Sequence, residues 1–160
     1  MKKRLETLTR AHGVSGDESA IRAAIRQVAE PYADDITEDA LGNLIVHQKG
    51  AGKKIMLAAH MDSVGVIVTH IEQNGFLRFG AIGGLEAKAL YQTMVRFQNG
   101  TVGVIAVEES KEEKEFKLAD LYIDIGARDR EEAKTMVMVG DTAAFSGALS
   151  GNGNRVMGPY

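Results

Sequence analysis

The sequence contains no cysteine, no tryptophan and only two prolines in 160 residues. Without cysteine the chain can form neither disulfides nor thiolate zinc sites, which agrees with a reducing compartment. No apolar run approaches the roughly 20 residues of a membrane-spanning helix, so we predict no membrane contact. A net charge of −3 gives no sign of the basic surface that nucleic-acid-binding proteins usually present, so we predict no nucleic-acid partner.

What is present is the composition of an ordinary globular protein, because 44% of the residues are hydrophobic and 26% are charged. The length fits one domain or two small ones. The N-terminal sequence MKKRLETL begins like a signal peptide but lacks the apolar region and the cleavage site that would follow. We therefore predict a soluble, cytoplasmic protein.

One stretch, KKIMLAAHMDSVG at residues 53–65, organises the predicted domain. Its apolar run 55–59 predicts a strand buried on both faces, and functional groups in open α/β sheets tend to follow the carboxyl ends of such strands. His60 stands at that end and could offer a ring nitrogen to a metal ion, while Asp62 could fix the tautomer of its imidazole. An ordinary hydrogen-bonded pair is the alternative, and spacing alone leaves both interpretations open.

Two helices and a hairpin precede this stretch. Apolar spacing predicts an amphipathic helix over residues 2–11, and Ser15–Asp17 are typical of the start of a second, core-facing helix. Residues 34–48 predict a β-hairpin whose turn is made by Asp39 and Asn43.

The remainder is predicted to be rich in β-strands. Two Asn-Gly dipeptides, at residues 74–75 and 99–100, each predict a hairpin turn. The charge run 108–117 predicts a solvated loop. Asp129 and Glu132 have the spacing of a capping pair and predict a short helix over 130–136. Further strands are predicted at residues 120–126, within 137–145, and at 155–157.

Several motifs, in this order, carry a resemblance to a known family: GVSGDE at 13–18, LGNLI at 41–45, AAHMDSVG at 58–65, HIEQNGFLRF at 70–79, IGG at 82–84, LYIDIGA at 121–127 and VGD at 139–141. Together they resemble the N-terminal part of the co-catalytic metalloaminopeptidases of the glutamyl and tetrahedral (TET) aminopeptidase family. Members of that family are often labelled endoglucanase or cellulase. The resemblance extends over essentially the whole chain.

The resemblance implies an α/β fold in which two domains meet. Residues 1–65 would be the N-terminal piece of a zinc-peptidase-like α/β/α catalytic domain. Residues 66–155 would be an inserted, PDZ-like β-barrel that serves dimerisation, and residues 156–160 a truncated return to the catalytic domain. The two predicted Asn-Gly hairpins agree with such a barrel.

The resemblance also implies a function, the metal-dependent hydrolysis of N-terminal amino acids from short peptides. In that family two divalent ions, usually zinc or cobalt, activate the attacking water. His60 matches a metal ligand, and Asp62 matches the catalytic aspartate that orients it. Ser63 departs from the pattern, because many members have a glutamate there.

The remaining ligands and the general base of the family lie beyond the segment that matches the end of this sequence. A catalytic zinc normally has three protein ligands. We therefore expect the 160-residue chain alone to bind metal weakly and to be inactive, and to oligomerise through its barrel. We also expect its first ~65 residues to be less stable than the barrel, or covered by a partner chain, because the sheet carrying residues 55–59 would expose an edge and an apolar face.

Two other functions were weighed. The chain could be a non-catalytic β-module that self-associates or binds peptides along a strand edge. A glycoside hydrolase is disfavoured, because the sequence has no tryptophan and only 6% aromatic residues to line a sugar groove.

Overall fold

The computed structural model describes residues 2–108, 117–147 and 149–158. The helices are α1 Lys2–Arg10, α2 Ser19–Ala29, α3 Ala87–Leu90 and α4 Arg130–Met136. The strands are β1 Asp35–Glu38, β2 Leu44–His47, β3 Gly65–Ile71, β4 Leu77–Ile82, β5 Met94–Phe97, β6 Val102–Val107, β7 Leu121–Asp124, β8 Thr142–Phe145, β9 Ser150–Asn152 and β10 Arg155–Met157. Most of the predicted charged loop, residues 109–116, lies outside the described residues.

Six strands form a closed barrel in the order β3-β4-β7-β6-β5-β8, and every pairing in it is antiparallel. Closure removes the open edges that a flat sheet would leave. Inward-pointing strand side chains form the main core together with residues of α3, of α4 and of the segments that follow β7 and α4. The core comprises Val66, Val68, Ile71, Leu77, Leu90, Val95, Phe97, Ile105, Leu121, Ile123, Ile125, Ala133, Val137 and Ala143. The fold is therefore mixed α/β with a β-barrel.

Both predicted Asn-Gly turns are confirmed. Gly75 and Gly100 adopt φ values of 87° and 92°, a region that glycine enters without steric cost. The preceding asparagines support the turns, because Asn74 Oδ1 accepts from the Phe76 backbone N–H and Asn99 Oδ1 from that of Thr101. The helix α4 also begins as predicted, with its cap at Asp129 accepting from Glu132 N–H at 2.9 Å.

The barrel is most weakly paired between β4 and β7, where the register contains a single pair, Leu77 with Ile123. The side chain of Arg78 crosses this seam. Its guanidinium donates to Glu72 and Glu108 at 2.6 Å each, and to the carbonyl oxygens of Ala119 and Leu121 at 3.3 and 3.5 Å. The hydrogen bond that the guanidinium donates to Glu72, followed by the one it donates to Glu108, raises the pKa of Arg78. The cation links three segments of the chain.

Arg78→Met should therefore lower the free energy of unfolding by about 1–2 kcal/mol, because it leaves two carboxylates without their shared partner. Urea denaturation of both proteins measures this difference. Arg128→Met is the matched control, since the Arg128 side chain is 85% exposed and its ion pair is with Glu132, four residues along the chain. Its loss should leave the free energy of unfolding almost unchanged, because exposed ion pairs contribute little to stability. Equal effects of the two substitutions would contradict the role of Arg78 at the seam.

The N-terminal segment contains the predicted helices and hairpin. β1 and β2 pair antiparallel with each other. Asp39 makes the turn as predicted, because its carboxylate accepts from the backbone N–H groups of Leu41 and Asn43 and from the Asn43 side chain. These bonds, led by the one from the Asn43 side chain, lower the pKa of Asp39. In the part of the chain that the structure describes, no helix is long and apolar enough to span a membrane.

The prediction of a buried strand at residues 55–59 is wrong for this structure. Residues 53–62 form no strand, and the side chains of Ile55, Met56 and Leu57 are 85%, 88% and 93% exposed. A strand buried on both faces needs a neighbour on each side. Within residues 2–108, 117–147 and 149–158 no strand pairs with this segment. The segment is apolar, as the sequence shows, but the described residues include no strands or helices that cover it.

Candidate metal-ligand site

His60 and Asp62 are brought together at the end of the exposed segment. The Nδ1 atom of His60 lies 2.9 Å from the backbone carbonyl oxygen of Asp62 and 3.2 Å from its Oδ1. Both partners are acceptors, so we assign the proton of the imidazole to Nδ1. That tautomer leaves the lone pair of Nε2 free, and the side chain of His60 is 85% exposed.

Asp62 is held in turn by Ser15, a residue for which the sequence pattern predicts only a place in a helix start. The Ser15 hydroxyl donates to Asp62 Oδ2 at 2.5 Å. This hydrogen bond, followed by the one from His60, lowers the pKa of Asp62. The carboxylate therefore has one oxygen on Ser15 and the other on His60.

The backbone holds these two segments side by side. Val14 and Ser63 form a parallel bridge, in which Ser63 N–H donates to the Gly13 carbonyl at 2.7 Å and Ser15 N–H to the Ser63 carbonyl at 3.1 Å. Val14 is fully buried beneath this bridge. The loop before α2 is thus fixed to the residues that follow His60, through partners almost 50 positions apart in sequence.

A cleft of about 290 Å³ opens beside the pair. Residues that contribute to its walls include Leu8, Ile21, Ile25, Val64 and Phe145, and His60 belongs to its lining. Because His60 is largely exposed, it stands at the edge of the cleft rather than at its base. The cleft offers a mostly apolar surface next to a ring nitrogen that is available for coordination.

A second polar cluster joins the loop before α2 to the barrel, and sequence reasoning did not find it. His12 Nε2 lies 2.8 Å from Thr142 Oγ1 and 3.0 Å from Asp17 Oδ2, and the Thr142 hydroxyl donates to the same carboxylate oxygen at 2.7 Å. The His12 side chain is only 8% exposed. Thr142 is 125 residues from Asp17, so no local signal could have revealed the contact.

Consequently the predicted start signal of α2 acts differently from the expectation. Asp17 binds Thr142 and His12 instead of capping the helix, and α2 begins at Ser19 with no side-chain cap. The N–H of Ile21 donates to the His12 carbonyl at 2.9 Å, which satisfies one of the free donors of the first turn.

The described residues supply one well-oriented imidazole but not a complete metal centre. Within residues 2–108, 117–147 and 149–158 no three His, Asp or Glu side chains are grouped closely enough to hold an ion. A catalytic zinc normally has three protein ligands and an open position. The geometry therefore fits a single ligand position, with Asp62 orienting the ring.

Comparison with known proteins gives a consistent result. The family model described as M42 glutamyl aminopeptidase matches residues 42–159. A curated aminopeptidase homologue from Acetivibrio thermocellus is 49% identical over 154 residues, which are 96% of this chain and 47% of that protein. The lysyl aminopeptidase of Pyrococcus furiosus is 37% identical over 147 residues, covering 85% of this chain and 41% of that protein.

Solved structures agree. An endoglucanase from Thermotoga maritima superposes with a TM-score of 0.86 at 34% identity, over 95% of this chain and 47% of that one. The Pyrococcus horikoshii TET1 peptidase, which can assemble into a tetrahedron or a large octahedral shell, superposes with a TM-score of 0.81 at 35% identity, over 92% of this chain and 47% of that one.

The chain thus spans about half the length of the curated relatives and solved structures that it matches. The matched family region nevertheless includes the whole β-barrel and the segment carrying His60 and Asp62. With the family match extending over most of its residues, the chain belongs to the M42 glutamyl aminopeptidase family.

Proposed function

We propose that this chain is the N-terminal part of a metal-dependent aminopeptidase, in which His60 binds one of two divalent ions and Asp62 orients its imidazole. The observation that carries the proposal is the position of His60. Two acceptor atoms of Asp62 engage Nδ1, and Nε2 is left exposed at the edge of a cleft. A metal-bound histidine commonly donates its other ring nitrogen to such a carboxylate or carbonyl.

The reaction we propose is the hydrolysis of N-terminal amino acids from short peptides. Zinc or cobalt ions bound at such a site supply Lewis-acid activation of water. The contribution of this chain is to hold the His60 ring in one tautomer and to provide an apolar wall beside it. The other ligands and the general base belong to the half of the relatives' length that this chain does not span, so the 160-residue chain alone is inactive.

The barrel has a separate role in this proposal. Residues 66–155 form an inserted, PDZ-like domain that mediates homo-oligomerisation, between the catalytic segments 1–65 and 156–160. Two observations support this organisation: the barrel core is independent of the N-terminal hairpin, and a similar TET1 peptidase assembles into shells. The exposed residues 55–57 would then be covered by strands of the longer enzyme. The assembled enzyme is cytoplasmic.

A cobalt titration tests the role of His60 without an activity assay. The chain has four histidines, so heteronuclear NMR spectra can follow every imidazole separately. Paramagnetic Co²⁺ should perturb the His60 ring at lower concentrations than His47, which is also exposed, and this first response should disappear in His60→Ala. His47→Ala is the matched control and should leave the His60 response unchanged. Simultaneous perturbation of both rings would contradict a preferred ligand position at His60.

The activity itself is tested on the native protein. We expect the species isolated from its source cells to be much heavier than 17.2 kDa and to release N-terminal amino acids from peptides, with loss of activity on chelation. The recombinant 160-residue chain should show no turnover with the same peptides and metal. Metal-dependent turnover by the short chain, or an inactive native species of 17.2 kDa, would overturn the proposal in its present form.

A further inference from the structure

The hydroxyl of Ser15 lies at the start of a chain of contacts that ends at the exposed nitrogen of His60. Ser15 Oγ donates to Asp62 Oδ2 at 2.5 Å, and the other oxygen of the same carboxylate lies 3.2 Å from His60 Nδ1. A carboxylate whose two oxygens have separate partners is fixed in its rotation about the Cβ–Cγ bond. The orientation of Asp62 toward the imidazole is therefore determined by Ser15.

The position of Ser15 is fixed independently of its side chain. Its N–H donates to the Ser63 carbonyl, and its neighbour Val14 is fully buried in the bridge to Ser63. The hydroxyl thus approaches Asp62 from a backbone that is already ordered, so only the rotation of the Ser15 side chain is restricted when the hydrogen bond forms.

A purely structural role as a helix cap does not account for this serine. The helix α2 begins four residues later, at Ser19, and receives no side-chain cap. Among the described residues the Ser15 hydroxyl has one other contact, the Ser63 carbonyl at 3.4 Å, which is much longer than the bond to Asp62.

We infer that Ser15 is a positioning residue that holds Asp62 in the orientation in which its carboxylate accepts a hydrogen bond from Nδ1–H of His60, so that Nε2 keeps its lone pair for a ligand. This inference rests on the proposed role of His60. Removing the hydroxyl frees the carboxylate to rotate, and only the backbone carbonyl of Asp62 then favours the Nδ1–H tautomer. Replacing a residue that hydrogen-bonds to a metal-binding histidine commonly lowers the metal affinity by about 10- to 100-fold.

The test compares three variants of the 160-residue chain. Ser15→Ala removes the hydroxyl, and Ser15→Thr keeps it. Ser63→Ala is the matched control, because the Ser63 hydroxyl joins the same two segments but donates to the Gly13 carbonyl at 3.3 Å rather than to the Asp62 carboxylate. Heteronuclear NMR of the imidazole nitrogens, recorded without metal at a pH where His60 is neutral, gives the ratio of the two His60 tautomers. A cobalt titration of each variant gives the relative affinity at His60.

In Ser15→Ala we expect the ratio of the Nδ1–H to the Nε2–H tautomer to fall about five-fold, the equivalent of one ordinary hydrogen bond. The cobalt affinity at His60 should fall about ten-fold. Ser15→Thr should restore the ratio to within about two-fold of the unsubstituted chain because it retains the donor, and Ser63→Ala should leave it unchanged.

An unchanged tautomer ratio in Ser15→Ala would overturn the inference. An equal change in Ser63→Ala would also overturn it, because the effect would then come from loosening the two segments. A cobalt response at His60 that is no stronger than the one at His47 in the unsubstituted chain would refute the proposed metal role. The metal-free tautomer comparison would still decide whether Ser15 positions Asp62.

Discussion

Leu77→Ala is expected to lower the free energy of unfolding of the barrel by about 3–5 kcal/mol, the range for a leucine removed from a rigid core. Leu77 is fully buried, and it is the residue at which β4 pairs with both β3 and β7. The substitution leaves a cavity at the seam where the barrel has its fewest pairings, and neighbouring strands held in a closed barrel cannot readily collapse into it. Urea denaturation followed by circular dichroism measures the change in midpoint.

Leu57→Ala is the matched control, because it removes the same atoms from a side chain that is 93% exposed. We expect a change within about 0.5 kcal/mol, the usual range for an exposed position. The pair of variants also tests the position of the exposed segment. If Leu57→Ala were as destabilising as Leu77→Ala, residues 55–59 would be buried in solution, either in a strand or against another chain.

The barrel is the part of the fold that the sequence predicted best, because its signals are local. An Asn-Gly dipeptide specifies a tight turn with positive φ through the chemistry of two residues, and both turns are found. The cap at Asp129 depends on a residue three positions away. Where a turn or a cap is determined by residues only a few positions apart, it can be predicted from the sequence alone.

The segment 55–59 shows the opposite case. Its apolar composition predicts burial, but burial depends on neighbouring strands, and those can lie far away in sequence or in another part of a longer protein. The described residues supply no such strands, and the segment is exposed. An apolar segment is stabilised when it is buried away from water. Whether it is buried depends on the rest of the structure, which the segment itself does not specify.

The candidate site was predictable only in part for the same reason. His60 and Asp62 are two residues apart, so their contact could be anticipated from spacing. Ser15 lies 47 positions before Asp62, and its role as hydrogen-bond donor follows from the parallel bridge between the two segments. The residues Ser15–Asp17, which predict a helix start, have different roles in the structure. Ser15 bonds Asp62 beside His60, and Asp17 bonds His12 and Thr142. A helix-start signal and a long-range donor use the same polar side chains, and the sequence does not distinguish them.

Gly65 lies where the loop before α2 meets the barrel, and Gly65→Ala is expected to destabilise the chain by about 3 kcal/mol, at the upper end of the cost of overpacking. A Cβ atom at this position would lie 2.6 and 2.8 Å from the two methyl groups of Val14 and 2.8 Å from the carbonyl oxygen of Ala143. The carbonyl belongs to β8, which pairs with β3 in the barrel. Neither Val14 nor Ala143 can move away without disrupting a backbone pairing. Thermal or urea denaturation should therefore show a large decrease in the free energy of unfolding.

Gly84→Ala is the matched control, since a Cβ there would meet nothing within 4 Å. It should be neutral or stabilising by up to about 1 kcal/mol, because alanine restricts the unfolded chain more than glycine. In the double variant Gly65→Ala with Val14→Ala, the total loss should be smaller than the sum of the single losses, because the methyl contacts are relieved. If the two losses of stability were strictly additive, the Val14 methyl groups would not contact the Cβ atom introduced at position 65.

The same variant links the barrel to the candidate site. Gly65 follows Ser63 by two residues, and Val14 precedes Ser15, so displacing Val14 should weaken the bridge that aligns Ser15 with Asp62. We therefore expect Gly65→Ala to change the His60 tautomer ratio in the same direction as Ser15→Ala, although it touches neither His60 nor Asp62. If Gly65→Ala destabilises the chain but leaves the His60 tautomer ratio unchanged, the packing at Gly65 and the orientation of His60 are independent. Coupling of the two would mean that the first strand of the barrel contributes to the geometry of the metal ligand.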